Sequence, residues 1–309
     1  MIDSRLHVLR LLAHHGTVTA TAGALNYTPS AVSHQLRQLS RELGVPLLSQ
    51  RGRRVVLTSA ARALLEHADV LFTQWERARA ELTARAGEVT GTVGLCGFST
   101  VAAPLLPEVA RALTERYPRL RTTVIEAEPE ECYSLLLAGE ADLAVVVLTP
   151  TTPPTSDARF DQRPLIDEPL DLQVHREHRF AHRASISLAD AAAEPWIVAR
   201  PGTAFHQLVL GACAQAGFAP AVAHYSNDWD TGTALVAAGF GVALVSRLAR
   251  WSGEHDVVRV PLHGDPPPSR RVLVVTRAGA GESPPLGEAL DVLDSAARRV
   301  LASTPRAGV

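Results

Sequence analysis

Apolar residues recur every three or four positions through the first 45 residues, and this spacing predicts three short helices at residues 4–15, 18–25 and 29–43. Thr28 can cap the third helix, Pro29 suits its first turn, and Gly44 can end it. The apolar stripe of this helix consists of Val32, Leu36, Leu39 and Leu43. One side of the helix is therefore expected to face a core.

The other side of the third helix is polar and basic. It carries Ser30, Ser33, His34, Arg37 and Arg41. Taken alone, this face is as compatible with solvent as with a polar or anionic partner. The preceding helices favour the partner, because two short helices leading by a tight turn into a third form the helix-turn-helix arrangement.

Two apolar segments follow, at residues 45–50 and 55–58, around the basic sequence Arg51-Gly52-Arg53-Arg54. This pattern predicts a β-hairpin with a basic tip, which makes the unit a winged helix-turn-helix. Arginines at such a tip are often only solvated. Beside a recognition helix they are also well placed to hold phosphates or to enter the minor groove.

A long helix is predicted at residues 59–88, which contain no proline and no glycine before Gly87. Its apolar side chains alternate steps of four and three, as in a heptad repeat. They are Leu64, Ala68, Leu71, Trp75, Ala78 and Leu82. We expect this seam to form a homodimer; the alternative is that it packs on a later domain of its own chain.

From Gly91 onward, strand-like and helix-like segments alternate, which predicts an α/β domain with a mostly parallel sheet. Two proline-rich stretches, at residues 149–155 and 261–268, divide it into two lobes joined by two strands. We predict a DNA-binding domain at 1–58, a linker helix at 59–90 and an effector domain at 91–302. The lobe boundaries are predicted as 91–163 with 267–302 for lobe I, and 164–266 for lobe II.

Charge is unevenly distributed in this chain of 309 residues with a net charge of −2. Residues 1–61 hold seven arginines against Asp3 and Glu42, a net charge of +5, so the remainder carries −7. Three cysteines without a C-x-x-C pair indicate buried, reduced thiols. With no apolar run long enough for a membrane span, we expect a cytoplasmic protein that does not bind membranes.

The N-terminal 90 residues resemble LysR-type transcriptional regulators. The matching segments are residues 20–25, 28–39, 42–47, 52–53 and 57–58. Four positions depart from the usual family residues: Ser40, Leu48, Gln50 and Ala61. The loss of an arginine at Gln50 is expected to weaken one phosphate contact, which the neighbouring Arg51 could supply.

The C-terminal part is similar to the effector domain of the same family, which has the two-lobed fold of type 2 periplasmic-binding proteins. The matching segments are residues 126–131, 139–145, 194–197 and 235–244. The resemblance implies a sequence-specific regulator controlled by a small molecule bound between the lobes, and a homotetramer, whereas the sequence itself supports a dimer. The expected DNA-binding residues are Thr28, Pro29, Ser30, Ser33, His34, Arg37, Arg51, Arg53 and Arg54.

Ligands of open α/β sheets bind beyond the carboxyl ends of the strands, where helix N-termini offer free amides. Each lobe contributes residues at such points, although plain helix capping would explain several of them equally well. The expected effector-binding residues are Ser99, Thr100, Glu128, Gly202, Thr203, Phe205, Asn227 and Asp228. We expect a small polar metabolite as the effector.

Motifs of enzymes are not found: there is no G-x-S-x-G, P-loop, H-E-x-x-H or G-x-G-x-x-G after a strand. His175, His178 and His182 have metal-like spacing but no second ligand cluster, which favours a solvated basic loop. We therefore predict no catalysis, no metal and no cofactor. A solute-binding protein would leave the basic N-terminal unit unexplained, so the sequence favours a ligand-responsive DNA-binding regulator.

Overall fold

The structure is a computed structural model that describes residues 2–52, 54–250 and 255–303. The first unit consists of α1 (Ser4–His15), α2 (Val18–Ala24), α3 (Pro29–Glu42), β1 (Leu48–Arg51) and β2 (Arg54–Leu57). We call it the DNA-binding unit. Its helices begin as their sequences predict, because the side chains of Thr17 and Thr28 accept hydrogen bonds from the amides of Ala20 and Ala31.

The core of the DNA-binding unit is closed by the apolar stripes of its helices. It contains the buried residues Val8, Leu9, Leu12, Ala22, Val32, Leu36, Leu39, Leu47 and Ala61. The stripe predicted for α3 is thereby confirmed except at Leu43, which is exposed. The hairpin is shorter than predicted, and its two strands pair antiparallel from Leu48 opposite Leu57 to Arg51 opposite Arg54.

The linker helix α4 (Ser59–Arg85) has one side against its own chain. Arg10 of α1 donates to Asp69 at 2.6 Å, and Arg277 donates to Glu76 at 3.0 Å. One side of α4 is therefore covered by α1 and by lobe I of its own chain, as the alternative expects. The other side carries exposed apolar side chains, and the homodimer stays a prediction.

Lobe I is a sheet covered by helices on both faces. Its elements are β3 (Gly91–Gly97), α5 (Ser99–Arg116), β4 (Leu120–Glu126), α6 (Pro129–Ala138), β5 (Leu143–Val147), β12 (Ser269–Arg277) and α9 (Pro284–Ser303). Strand β3 pairs parallel with both β4 and β5, as the alternating pattern predicts. Strand β12 pairs antiparallel with β5, so the lobe I sheet is mixed.

Lobe II is built around a second core that includes the fully buried Trp196. Its elements are β7 (Ile186–Ser187), β8 (Pro195–Val198), α7 (Ala204–Gln215), β9 (Ala221–Tyr225), α8 (Trp229–Ala237), β10 (Ala243–Ser246) and β11 (Val257–His263). Strand β8 pairs parallel with β9, and an isolated bridge joins Trp196 to Val242.

Strand β6 (Phe160–His175) runs through both lobes. It pairs antiparallel with β12 as far as Pro169 opposite Ser269, and from Leu170 onward with β10 and β11. The chain thus crosses between the lobes within β6, near Pro169 and Leu170, and again between β11 and β12. The proline-rich stretch at 261–268 coincides with the second crossing, whereas the stretch at 149–155 precedes β6 and does not mark the first one. The apolar pattern of the sequence predicts a strand only at residues 171–175, which is shorter than β6, and it predicts no strand at β11.

Among the described residues, we find no helix with the length and hydropathy needed to cross a bilayer.

Candidate functional sites

The polar face of α3 is open to solvent. Thr28, Pro29, Ser30, His34 and Arg37 are exposed, and Ser33 is half-buried. The hydroxyls of Thr28 and Ser30 lie 2.9 Å apart at the start of the helix. The six residues predicted on this helix therefore share one accessible surface, with unpaired amides and one arginine available to an anionic partner.

The hairpin lies at the end of the same unit. Arg51 is exposed and stands opposite Arg54 in the strand register, with Gly52 in the left-handed region at φ +63° between them. Arg53, the third arginine predicted at this tip, lies outside the described residues. The backbone thus forms the predicted wing, with its turn at the basic sequence.

The predicted seam of α4 is divided by the structure. Leu71, Trp75, Ala78 and Leu82 are exposed, with 66% of the Leu82 surface and 41% of the Trp75 surface open to solvent. Leu64 is half-buried and packs on the core of the DNA-binding unit. Ala68 is fully buried within its own chain, so it is removed from the candidate dimer surface.

A cleft of about 840 Å³ opens between the lobes. Seven of the eight predicted effector-binding residues line it, and they come from both lobes. These seven are Ser99, Thr100, Glu128, Thr203, Phe205, Asn227 and Asp228. Gly202 does not line the cleft; it lies in the turn before α7 with φ +95°.

A hydrogen bond between two helix starts joins the lobes at the cleft. The indole Nε1 of Trp229, at the start of α8 in lobe II, donates to the Ser99 hydroxyl of lobe I at 3.3 Å. The Trp229 ring also contacts Phe205 edge-on, with centroids 4.8 Å apart. Trp229 follows directly on Asn227 and Asp228, and the sequence makes it a candidate cleft residue together with them. It forms an aromatic wall at the contact between the lobes.

Three of the predicted side chains also accept hydrogen bonds from backbone amides. Thr203 accepts from the His206 amide at 3.2 Å, Asp228 accepts from the Thr231 amide at 2.7 Å, and Asn227 accepts from the Arg200 amide at 2.8 Å. The hydrogen bonds to Thr231 lower the pKa of Asp228. The Asp228 carboxylate therefore stays ionised, and its charge lies at the positive end of the dipole of the helix that it caps.

An arginine on a crossing strand lies at the floor of the cleft. Arg270, at the start of β12, is 4% exposed and donates from Nε to Glu168 of β6 at 2.6 Å. Its Nη2 donates to the hydroxyls of Thr100 and Ser246, both at 2.7 Å, and its guanidinium lies 4.8 Å from the Phe98 ring centroid. The Leu248 amide donates to Glu168 at 2.6 Å.

This network joins both crossing strands and both lobes at one point. Sequence reasoning missed it, since Arg270 was assigned to no element and Glu168 to no site. The only signal was a charged residue in each of the two crossings, and nothing local shows that they meet. Because Thr100 accepts from Arg270, its own proton remains available to a ligand.

Glu128 stands before α6 at the edge of the cleft and does not cap the helix with its side chain. Burial and the neighbouring Glu130 raise the pKa of Glu128. Of the charged groups around the cleft, Glu128 is therefore the one most easily protonated when an acidic ligand approaches.

The three cysteines are free and buried, as the sequence predicts. Burial raises the pKa of the Cys213 thiol to about 12, and contact with Cys96 together with burial raises that of Cys132. Thiols of this kind react slowly, because the thiolate is the nucleophile. In the part of the chain that the structure describes, no three His, Cys, Asp or Glu residues come together as a metal site.

Two family models match the chain. Residues 4–62 match the bacterial regulatory helix-turn-helix protein of the lysR family, and residues 86–298 match the LysR substrate binding domain. Together they cover both the exposed face of α3 and the cleft. The fold class predicted from sequence is confirmed by these matches.

Relatives agree with this assignment. A hydrogen peroxide-inducible genes activator from Pectobacterium carotovorum subsp. carotovorum is 28% identical over 278 residues, covering 89% of this chain and 90% of the relative. The DNA-binding transcriptional dual regulator OxyR of Escherichia coli strain K12 is 28% identical over 245 residues, which is 79% of this chain and 78% of OxyR.

A solved full-length OxyR variant from Pseudomonas aeruginosa has the same fold, with a TM-score of 0.65 and 22% identity over 100% of this chain and 98% of that one. The relatives are regulators and not enzymes, in agreement with the absence of catalytic motifs from the sequence. A winged unit with an exposed polar helix and a two-lobed domain with a ligand-sized cleft are the two parts such a regulator needs. The chain belongs to the LysR family of DNA-binding transcriptional regulators.

Proposed function

We propose that this regulator reads its operator with the exposed face of α3 and the wing, and that a small polar metabolite bound in the interlobe cleft controls it. The observation that carries the proposal is that seven predicted residues from two lobes line one cleft above a buried arginine. We also propose domain boundaries near residues 58, 90 and 302, which delimit the DNA-binding domain, the linker helix and the effector domain. We also propose a cytoplasmic location, where DNA and metabolites are both present.

The chemistry of the cleft favours an effector with an acidic or strongly accepting group. The Ser99 hydroxyl accepts from Trp229 and the Thr100 hydroxyl accepts from Arg270, so both retain a proton to donate. Arg270, which is paired with Glu168, presents its guanidinium at the floor, and four helices begin at the cleft wall. Phe205 and Trp229 provide an apolar wall for the rest of the molecule.

Peroxide sensing by a thiol, which the names of several relatives suggest, is disfavoured in this chain. All three cysteines are fully buried, and the pKa of Cys213 is raised to about 12. A redox-sensing cysteine is expected to be accessible and to have a low pKa. The proposed signal is therefore reversible binding of a metabolite rather than oxidation of the protein.

A homodimer formed by the open side of α4 is proposed as the DNA-binding species. Leu71, Trp75, Ala78 and Leu82 support it as an exposed apolar stripe, which a soluble helix rarely leaves uncovered. Two copies of α3 in such a dimer would meet two half-sites of a palindromic operator. The homotetramer that the family resemblance implies would pair two such dimers through the effector domains.

Calorimetric titration of a metabolite library against the wild-type chain tests the cleft. Ser99→Ala and Thr203→Ala are expected to weaken binding of any ligand found, since each removes a hydroxyl from the cleft. Ser187→Ala is the matched control, because Ser187 also caps a helix in lobe II through the Ala189 amide but does not line the cleft. Binding that is unchanged in both cleft variants would reject the proposed site.

A further inference from the structure

The DNA-binding unit packs directly on lobe I of its own chain. Leu11 of α1 is fully buried and belongs to a hydrophobic cluster with Cys132, Tyr133 and Leu136 of α6. The His14 ring nitrogen Nε2 lies 3.0 Å from the hydroxyl of Ser134, also on α6. We call this the docking contact. Helix α1 therefore has two buried sides, one toward its own unit and one toward lobe I.

The linker helix is held in the same position by a second set of contacts. Arg277 of β12 donates to Glu76 of α4 and, at 2.6 Å, to Asp142 of lobe I. Gly279 has φ +82°, and a Cβ there would stand 2.9 Å from the Thr73 carbonyl oxygen. The backbone of lobe I thus approaches α4 as closely as a glycine allows. Lobe I therefore contacts the N-terminal part of the chain at two separate places, at α1 and at α4.

A groove of about 1340 Å³ runs between the docked unit and α6. On one side it is lined by α2 and by Asn26, two residues before the cap of α3. The other side carries the carboxylates of Glu130, Glu131 and Glu140. These negative charges therefore stand beside the end of the DNA-binding unit at which α3 begins.

Duplex DNA carries one negative charge per about 1.7 Å of its axis. The carboxylates of the groove repel phosphates within a screening length of about 8 Å at physiological ionic strength. We propose that the docking contact is autoinhibitory: it holds the DNA-binding unit beside the carboxylates of α6, and its release increases affinity for DNA.

Helix α6 also reaches the interlobe cleft. Glu128 and Pro129 line the cleft, while Glu130 and Glu131 line the groove, so a single helical turn touches both. A ligand that displaces the first turn of α6 would therefore alter the docking contact, with a coupling that is reciprocal between ligand and DNA. This last step rests on the proposed cleft; the autoinhibition itself requires only the DNA binding of the family.

The test measures the affinity of the full-length chain for a random-sequence 40-bp duplex at low salt, by fluorescence anisotropy. Ser134→Gln inserts a longer, uncharged side chain at the docking contact and is expected to raise affinity at least about fivefold, the lower end of ordinary coupling between sites. Thr114→Gln is the matched control. Thr114 is exposed on α5 and, like Ser134, donates to the carbonyl four residues earlier.

Leu11→Gln disrupts the same contact from α1 without a change of charge, and it should raise affinity as Ser134→Gln does. If neither variant binds the duplex more tightly than Thr114→Gln, the docking contact is not inhibitory. A variant that fails to fold is recognised by a lost unfolding transition, in which case the other variant decides the test.

A second substitution tests whether the carboxylates of the groove cause the proposed autoinhibition. Glu131→Gln should raise DNA affinity in the wild-type background and have little effect once Ser134→Gln has released the unit. Glu177→Gln on lobe II makes the same change of charge outside the groove. An equal effect of Glu131→Gln in both backgrounds would exclude docking as its cause. Failure to find any metabolite ligand would leave these DNA measurements unaffected.

Discussion

The exposed face of α3 comes from one stretch of chain, residues 28–42, whereas the cleft floor joins Glu168 and Arg270, which are 102 positions apart. The first is a solvent-facing surface whose side chains mostly bond only to local neighbours. The second is a buried charged network that connects both crossing strands, α5 and β10. A surface for DNA can thus be formed locally, while a site for a small molecule depends on the packing of the whole effector domain.

The largest expected effect comes from breaking the buried charged network at the floor of the cleft. Arg270→Met leaves Glu168, which is fully buried, without its cation, and we expect a loss of about 3–5 kcal/mol in the free energy of unfolding. Urea denaturation followed by circular dichroism measures it. The double variant Arg270→Met/Glu168→Gln removes both charges and should recover much of the loss; a double variant as unstable as the single one would contradict the ion-pair explanation.

The proposed dimer surface on α4 is intermediate between the face of α3 and the floor of the cleft. Its residues come from one helix, but the interface forms only with a second copy of the chain. Trp75→Ala is expected to weaken the dimer by about 2 kcal/mol or more, as exposed aromatic anchors of interfaces do. Sedimentation equilibrium measures the dissociation constant. Glu66→Ala, an exposed residue on the opposite side of α4, is the control, and an unchanged dimer in Trp75→Ala would mean that α4 does not form the interface.

The same contrast explains what sequence reasoning could and could not find. Caps, a proline at the first turn and a stripe at helical spacing determine α3 locally, so its bounds were predicted to within one residue. The strand at 160–170 was missed because Pro164 and Pro169 and a mixed polar pattern hide it, and only pairing with β12 makes it a strand.

Only those cleft residues that occupy recognisable positions along the chain could be predicted from the sequence. Ser99, Thr203 and Asp228 lie where strands lead into helices, and that position can be recognised along the chain. Arg270 reaches the cleft only because two lobes close around two crossing strands, and Trp229 bonds to Ser99 only because α8 faces α5. Contacts of this kind depend on tertiary structure and leave no local pattern.

At the DNA-binding surface, substitutions should change binding with little loss of stability, within about 0.5 kcal/mol. Ser33→Ala is expected to change preference among operator sequences by about 1–3 kcal/mol if its hydroxyl meets a base edge. Arg51→Ala, at the wing, should weaken binding to all sequences and lower the salt slope by about 1. Binding-site selection and salt titration measure these effects. If both variants lowered affinity for specific and random DNA equally, with the same salt slope, α3 and the wing would not have these separate roles.

The last expected effect is absent at neutral pH, appears only in acid, and concerns the docking contact between the two regions. Burial lowers the pKa of His14 to about 4, against 6.5 for an ordinary histidine, and the positive charge of Arg159 also disfavours protonation. Near the ring stand Asp157, which opposes this shift, and the neighbouring His15. Because the unfolded chain takes up this proton more readily than the folded one, stability is unaffected above pH 6.5 and falls as the pH drops from 6.5 toward 4.

His14→Gln keeps a hydrogen-bonding group beside Ser134 but does not titrate. Scanning calorimetry between pH 7 and pH 4 should therefore show a smaller fall of Tm in His14→Gln than in the wild type, with equal Tm values near pH 7 if the glutamine preserves the contact. His67→Gln, at an exposed position on α4, should follow the wild type. Parallel curves for His14→Gln and the wild type would show that proton uptake at the docking contact does not oppose folding, and that the acid sensitivity of the chain lies elsewhere.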